Sequence, residues 1–236
     1  MPPPVPGFGL YYSENVSGSE KTAAPPIPRE KKNSFSDAKF IREFKIVVLG
    51  SFGGGKTQLI ERFIYDTYTD DSPLTIEDFY RRQIFLDDEI SLLDVTDTTG
   101  SDLYESMHES WIRPAEGFIL AFSLTSNWED GLKEMETFRD KIYRIKDTRS
   151  VPIVAVGLKS DLSHERQVDA ATIESLSTQW NIPFYETSAK LNWHVNDVFE
   201  DLLRQLRLQV QYASDPDLSD PVMKRRKRQQ GSCIIM

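Results

Sequence analysis

The strongest chemical signal in the chain is the stretch Gly50-Ser51-Phe52-Gly53-Gly54-Gly55-Lys56-Thr57. It follows the apolar run Lys45-Ile46-Val47-Val48-Leu49 and precedes a helical pattern. The order G-x-x-x-x-G-K-[ST] is a phosphate-binding loop, or P-loop, pattern. A strand feeding a glycine-rich turn and then a helix aims a row of backbone N–H groups at one spot, where the helix dipole adds positive potential. Lys56 would reach the outer phosphates, and the Thr57 hydroxyl would take one position on a magnesium ion. The competing reading is a flexible glycine-rich loop, which the strand before it and the helix after it disfavour. A site for a nucleoside di- or triphosphate is therefore expected, with the choice between adenine and guanine still open.

The elements that must position this loop come from the alternation of patterns between Phe44 and about Tyr212. Apolar runs of strand length are Ile46–Leu49, Phe118–Leu124 and Val151–Val156, with a shorter one at Ile182–Tyr185. Between them Leu132, Met135, Phe138, Ile142 and Ile145 fall at helical spacing, as do Val195, Val198, Phe199, Leu202 and Leu206. Buried-type strands alternating with helices predict a parallel sheet covered on both faces. The segments Tyr80–Leu86 and Ile90–Val95 are separated by too few residues for a crossover helix, so they predict an antiparallel hairpin at the sheet edge.

Charge and composition narrow the function classes. The net charge is −9, yet residues 1–42 carry six Lys/Arg against four Asp/Glu, and residues 224–236 carry five basic residues and no acid. The middle of the chain is thus more acidic than the whole, which argues against a nucleic-acid binder with a basic face. A basic tail on an acidic body suggests an address at an anionic surface. No apolar run approaches the roughly 18 residues of a membrane span, and no secretory signal pattern is read at the start. The one cysteine, Cys233, leaves no disulfide framework and fits a reducing compartment. Residues 1–42 hold seven of the thirteen prolines and read as a disordered extension, either a spacer or a polyproline ligand for an SH3-type groove.

Four more segments decide the base. Thr75-Ile76-Glu77-Asp78 follows the first helix, and Asp97-Thr98-Thr99-Gly100 ends the third strand. Leu158-Lys159-Ser160-Asp161 ends the strand beginning at Val151, and Thr187-Ser188-Ala189-Lys190 follows Phe184-Tyr185. With the P-loop, these ordered motifs resemble the Ras branch of the small GTPases over roughly 170 residues. Asp161 can accept two hydrogen bonds from the ring N–H and exocyclic amine of guanine. A site built that way rejects adenine on the order of 10⁴-fold or more. Lys159 would lay its stem over the base, and Ser188, Ala189 and Lys190 would offer backbone N–H groups to the guanine oxygen. The resemblance puts the Tyr68 ring against the base and adds Leu162 to the base-side residues. It also makes Asp97 and Thr75 magnesium ligands beside Thr57. The Gly100 N–H would meet the γ-phosphate, so that two loops order with GTP and relax with GDP.

Four residues break the family pattern. Phe52 replaces a glycine of the P-loop, where a phenyl ring would crowd the attacking water and an arginine finger. Ser101 stands in place of the glutamine that orients the water, and Thr99 in place of an alanine. The finger alone is worth about 10³–10⁵ in rate, so slow hydrolysis and resistance to activating proteins are expected. Leu158 replaces the asparagine of N-K-x-D, whose amide bonds the purine and ties the base loop to the P-loop. Unpartnered buried polar groups there would cost about 1–3 kcal/mol. Affinity would then fall about 10- to 100-fold, giving fast exchange unless the site rearranges.

The expected domain is therefore an α/β Ras-like fold over residues 43–212: a mostly parallel six-stranded sheet, one antiparallel edge strand and about five helices. Residues 213–236 form a polybasic tail ending Cys233-Ile234-Ile235-Met236, a C-a-a-X pattern for a farnesyltransferase. One lipid anchors weakly, and Lys224 to Arg228 would add about 1 kcal/mol per charge at an anionic leaflet. This predicts the inner face of the plasma membrane, with nuclear localisation as the other reading of the basic run. Ile76, Glu77 and Asp78 resemble the core of the effector loop, although residues 72–74 differ from the usual ones. A monomer acting with effectors and a guanine-nucleotide exchange factor is implied. Tyr104, Met107 and Trp111 read equally as an apolar switch face or as ordinary packing. A non-enzymatic adapter with GTP locked in or nucleotide weakly bound is the alternative class, and a P-loop kinase or ATPase lies further off.

Overall fold

The computed structural model describes residues 42–70, 75–125 and 128–214. The proline-rich arm, residues 72–74, the basic run and Cys233 lie outside the described residues. The chain order is β1 (Arg42–Gly50), α1 (Lys56–Tyr65), β2 (Glu77–Leu86), β3 (Glu89–Thr98), α2 (His108–Ile112), β4 (Gly117–Ser123), α3 (Trp128–Lys146), β5 (Ile153–Leu158), α4 (Ala170–Trp180), β6 (Phe184–Glu186) and α5 (Val195–Ser214). Short 3₁₀ segments cover Asp102–Met107 and Ser163–Glu165.

The strands form one sheet in the order β2-β3-β1-β4-β5-β6. Among the described strands only β2 and β3 pair antiparallel, with Tyr80 opposite Val95. As expected, they are joined at Asp87-Asp88, whose φ angles of 49° and 60° give the doubly positive turn that suits the twist of a hairpin. The other pairs of described strands are parallel. β1 starts earlier than its apolar run because Arg42 to Lys45 pair with β3 alone, while pairing to β4 begins at Ile46. That half-paired end alternates polar and apolar residues, and only beyond it is every residue buried.

The pleat of β1 divides the core into two layers. Phe44, Ile46 and Val48 pack with Leu59, Ile60 and Phe63 of α1 and with Val198, Phe199 and Leu202 of α5. Val47 and Leu49 face the other way, against Trp111 and Ile112 of α2 and Met135, Phe138 and Ile142 of α3. Trp111 is a core residue, 3% exposed, and Tyr104 and Met107 are half-buried against the same layer, which favours ordinary packing for these three. Among the described residues no helix is long and apolar enough to cross a membrane.

The two helices behind the first layer are locked by Phe63 and Phe199, whose rings stack at 3.7 Å between centroids with 6° between planes. Phe199 is fully buried. Replacing it with alanine removes the stack and leaves a cavity, and is expected to cost about 3–5 kcal/mol of stability, read as a lower urea midpoint in equilibrium unfolding.

Candidate functional site

The loops that follow β1, β3, β5 and β6 meet at the carboxyl ends of those strands, and β1 is where strand order reverses. Open α/β sheets bind their ligands at such a point. The P-loop enters α1 through Gly55, whose φ of 108° places it in the left-handed region and lets the chain turn into the helix. Gly100 shows a closer constraint. A Cβ there would lie 2.2 Å from the Phe52 nitrogen and 2.3 Å from the Gly50 oxygen, so no other residue lets the 99–101 loop pack on the P-loop.

Two adjoining cavities open here. One, of about 140 Å³, is lined by Phe52, Gly53, Gly55, Lys56, Thr57, Gln58, Thr75, Thr98, Thr99 and Gly100. Inside the loop, buried Lys56 donates from Nζ to the carbonyls of Gly50 (2.7 Å) and Ser51 (2.9 Å). Burial pushes its ammonium down to about 8, opposed by Asp97 and Glu134. The Lys56 charge is thus preorganised at the base of the cleft.

The second cavity, of about 330 Å³, is lined among others by Tyr68, Leu158, Lys159, Asp161, Leu162, Ala189 and Lys190. Gly53, Gly55 and Gln58 border both cavities, which makes them one cleft. Lys159 sits in the left-handed region at φ 64° and donates from Nζ to the Gly53 carbonyl at 3.1 Å, so its stem reaches back from the end of β5 to the P-loop. Ser188 Oγ donates to Asp161 Oδ1 at 2.7 Å. Tyr68 donates its hydroxyl to Asp70 Oδ1 at 2.8 Å, and burial with that bond pushes the phenol up to about 12.

These features fall on a stretch that matches a known family: residues 45–208 fit the model described as Ras family. The chain belongs to the Ras family. A Ras-like protein of Laccaria bicolor is 42% identical over 179 residues, which are 76% of this chain and 85% of that protein. Ras-like protein 1 of Saccharomyces cerevisiae is 43% identical over 167 residues, 71% of this chain and 53% of that protein, so this chain spans about half the length of that relative. As a Ras-family small GTPase it is a signalling switch that binds GTP and GDP with Mg²⁺.

The residues present fit the ion. Thr57 Oγ1 donates to Asp97 Oδ2 at 2.6 Å and lies 3.0 Å from Thr75 Oγ1. Having one proton, Thr57 must accept from Thr75. Three oxygens thus converge, and the second carboxylate oxygen of Asp97 is buried without a partner. Desolvation is the main cause that raises the Asp97 carboxyl to about 6. A hard cation with oxygen ligands would supply the missing partner and favour the ionised form.

Of the substituted positions, Leu158 is 2% exposed and turns Cδ1 toward the P-loop, 3.8 Å and 3.9 Å from where Cβ atoms on Gly54 and Gly55 would stand. The polar groups expected to be stranded beside it do not appear among side chains. The three buried unpartnered side-chain atoms of the described residues belong to Ser51, Asp97 and Trp111. Leu158 thus stands beside the P-loop glycines with no amide to bond them. Ser101 gives its N–H to Thr99 Oγ1 at 3.2 Å, closing a small turn before the 3₁₀ segment. Ile76 and Asp78 are exposed and Glu77 is half-exposed at the start of edge strand β2. Sequence reasoning missed Gln58, although it directly follows the P-loop threonine. It also missed the exposed aromatic pair Phe79 and Phe85 on β2.

If Thr57, Thr75 and Asp97 hold Mg²⁺ against the phosphates, chelation with EDTA is expected to speed release of labelled GDP by about tenfold or more, the equivalent of about 1.4 kcal/mol. Alanine at Thr57 should reproduce much of that acceleration with magnesium present.

Proposed function

We propose that this small GTPase turns GTP over slowly, resists Ras-type activating proteins and works from an anionic membrane surface. The observation that carries the kinetic part is Phe52. Its ring is 57% exposed at the mouth of the phosphate cleft, beside Thr99 and Gly100. Phosphoryl transfer depends on placing a water in line and on charge stabilisation by an inserted arginine. A phenyl ring at this position would crowd both. Ser101 brings a short hydroxyl where an amide would orient the water, and its backbone N–H is committed to Thr99. Lys56, Thr57, Thr75, Asp97 and Gly100 retain the phosphate and metal side of the switch.

Freshly purified protein is expected to carry mostly GTP, read by chromatography after denaturation. Its single-turnover rate should lie well below the roughly 3–5 × 10⁻⁴ s⁻¹ of ordinary Ras proteins, and the double variant F52G/S101Q should raise it. A wild-type rate in the ordinary range, or stimulation by an activating protein, overturns the proposal. An empty site that also fails to fill on titration with GTP and magnesium favours the second reading, a non-enzymatic adapter, for which Leu158 in the base loop is the supporting residue.

For the membrane, Cys233 is the proposed farnesyl acceptor, and Lys224 to Arg228 is the electrostatic partner of that single lipid. The cytoplasmic face of the plasma membrane follows as the proposed location. Effectors would meet Ile76, Glu77, Asp78 and the free edge of β2, which can accept an added strand. The proline-rich arm is a spacer or an SH3-type ligand. A Cys233→Ser variant is expected to move from the membrane to the soluble fraction of fractionated cells, while a variant with the basic run neutralised should be partly released.

A further inference from the structure

The 188–194 loop is held from behind by a residue of α1. Arg62 donates from Nε to the Ala189 carbonyl (2.7 Å), from Nη2 to the Lys190 carbonyl (3.2 Å) and from Nη1 to the Asp66 carbonyl (2.8 Å). Its side chain is only 15% exposed. Asp66 closes α1 by donating its own N–H to the Arg62 carbonyl, and its carboxylate accepts from Asn192 Nδ2 at 3.2 Å. The Ser188 carbonyl accepts from the Trp193 N–H at 2.9 Å.

These bonds act on the opposite side of each peptide. In a planar trans peptide the N–H points away from the C=O. Fixing the Ser188 and Ala189 carbonyls therefore fixes the direction of the N–H groups of Ala189 and Lys190, the two residues of this loop that line the base cavity. The helix supplying the clamp begins with Lys56 and Thr57, so one rigid element carries the phosphate-side residues at its first turn and the clamp in its last. Leu158 offers no amide to join the base side to the P-loop. Among the described residues the polar ties between the two sides are the Lys159 bond to Gly53, the Asn192 bond to Asp66 and the paired bonds of Arg62, of which only those of Arg62 reach the 189–190 carbonyls.

We propose that Arg62 is a positioning residue for base recognition: through the Ala189 carbonyl it holds the Lys190 N–H in place for the exocyclic oxygen of guanine, beside the Ala189 N–H that the Trp193 bond directs. This rests on the assignment of the 330 Å³ cavity as the base site. The guanidinium suits the task because its planar fork reaches several carbonyls at once, which a lysine ammonium on a flexible stem does poorly.

The test uses full-length protein with magnesium, as wild type, Arg62→Ala and Arg62→Lys. Affinities are measured for GDP, for 6-thioguanosine diphosphate and for ADP. In the thio analogue a weak sulfur acceptor replaces the oxygen, and the ring N–H and amine are unchanged. Arg62→Ala is expected to weaken GDP about 10- to 100-fold and the thio analogue much less, shrinking the preference between them at least about threefold. Arg62→Lys should recover little of that preference. If alanine lowers both affinities by one common factor, or neither, Arg62 is a structural residue and the proposal fails. Full recovery by lysine also overturns it, because charge without the fork would then suffice. If Arg62→Ala does not fold, the preference measured for Arg62→Lys decides alone. A wild type that binds ADP as well as GDP would instead refute the base-site assignment.

Discussion

Burial of β1 on both faces is the constraint from which the rest of the molecule follows. From Ile46 to Gly50 no side chain reaches solvent, so helices must cover both sides of the strand. Covering both sides of a parallel strand means right-handed crossovers in opposite directions, which leave a gap beyond its carboxyl end. The chain fills that gap with backbone. Lys56 folds back to satisfy the Gly50 and Ser51 carbonyls, and Gly100 packs against the same turn without room for a methyl group. The P-loop side of the cleft is thus built by the requirements of the core.

The features legible in the sequence were those with a local or periodic cause. Five ordered motifs located the cleft, period-3.6 patterns gave α3 and α5, and Asp87-Asp88 between two apolar runs gave the hairpin. Helix α4 escaped notice because it buries only Ile173 and so has almost no apolar stripe. Its one local signal is Asp169, which caps it by accepting from the Thr172 N–H at 2.6 Å. The first half of β1 was hidden because it pairs on one side and reads as charged. Arg62 could not be read either: in sequence it is an ordinary polar residue of an amphipathic helix, and its partner lies 127 residues away. The motifs showed where Leu158 departs from the family pattern but not that its side chain is buried beside the P-loop, which depends on the packing of β5.

The two halves of the cleft are built on different physical principles. The P-loop side depends on charge and on hydrogen bonds at 2.6–3.0 Å, from Lys56 to the Gly50 and Ser51 carbonyls and among Thr57, Thr75 and Asp97. The side lined by Leu158 and Asp161 depends on shape and on backbone direction, with Leu158 buried and the 189–190 carbonyls held by Arg62. Salt and pH act mainly on the first; side-chain volume and loop strain, such as the left-handed Lys159, act mainly on the second.

Among the described residues strand β2 has a partner on one side only, and it shows two aromatic residues to solvent, with Phe79 74% and Phe85 69% exposed. Such a border is sticky toward any extended chain, including another copy of itself. What keeps it clean is the company of charges: Arg81 is bound to Asp94 and Glu43 on neighbouring strands, and Glu77 and Asp78 stand at one end. With a net charge of −9, two molecules repel before their borders meet. Solubility here is therefore an electrostatic property, and it weakens as added salt shortens the reach of that repulsion.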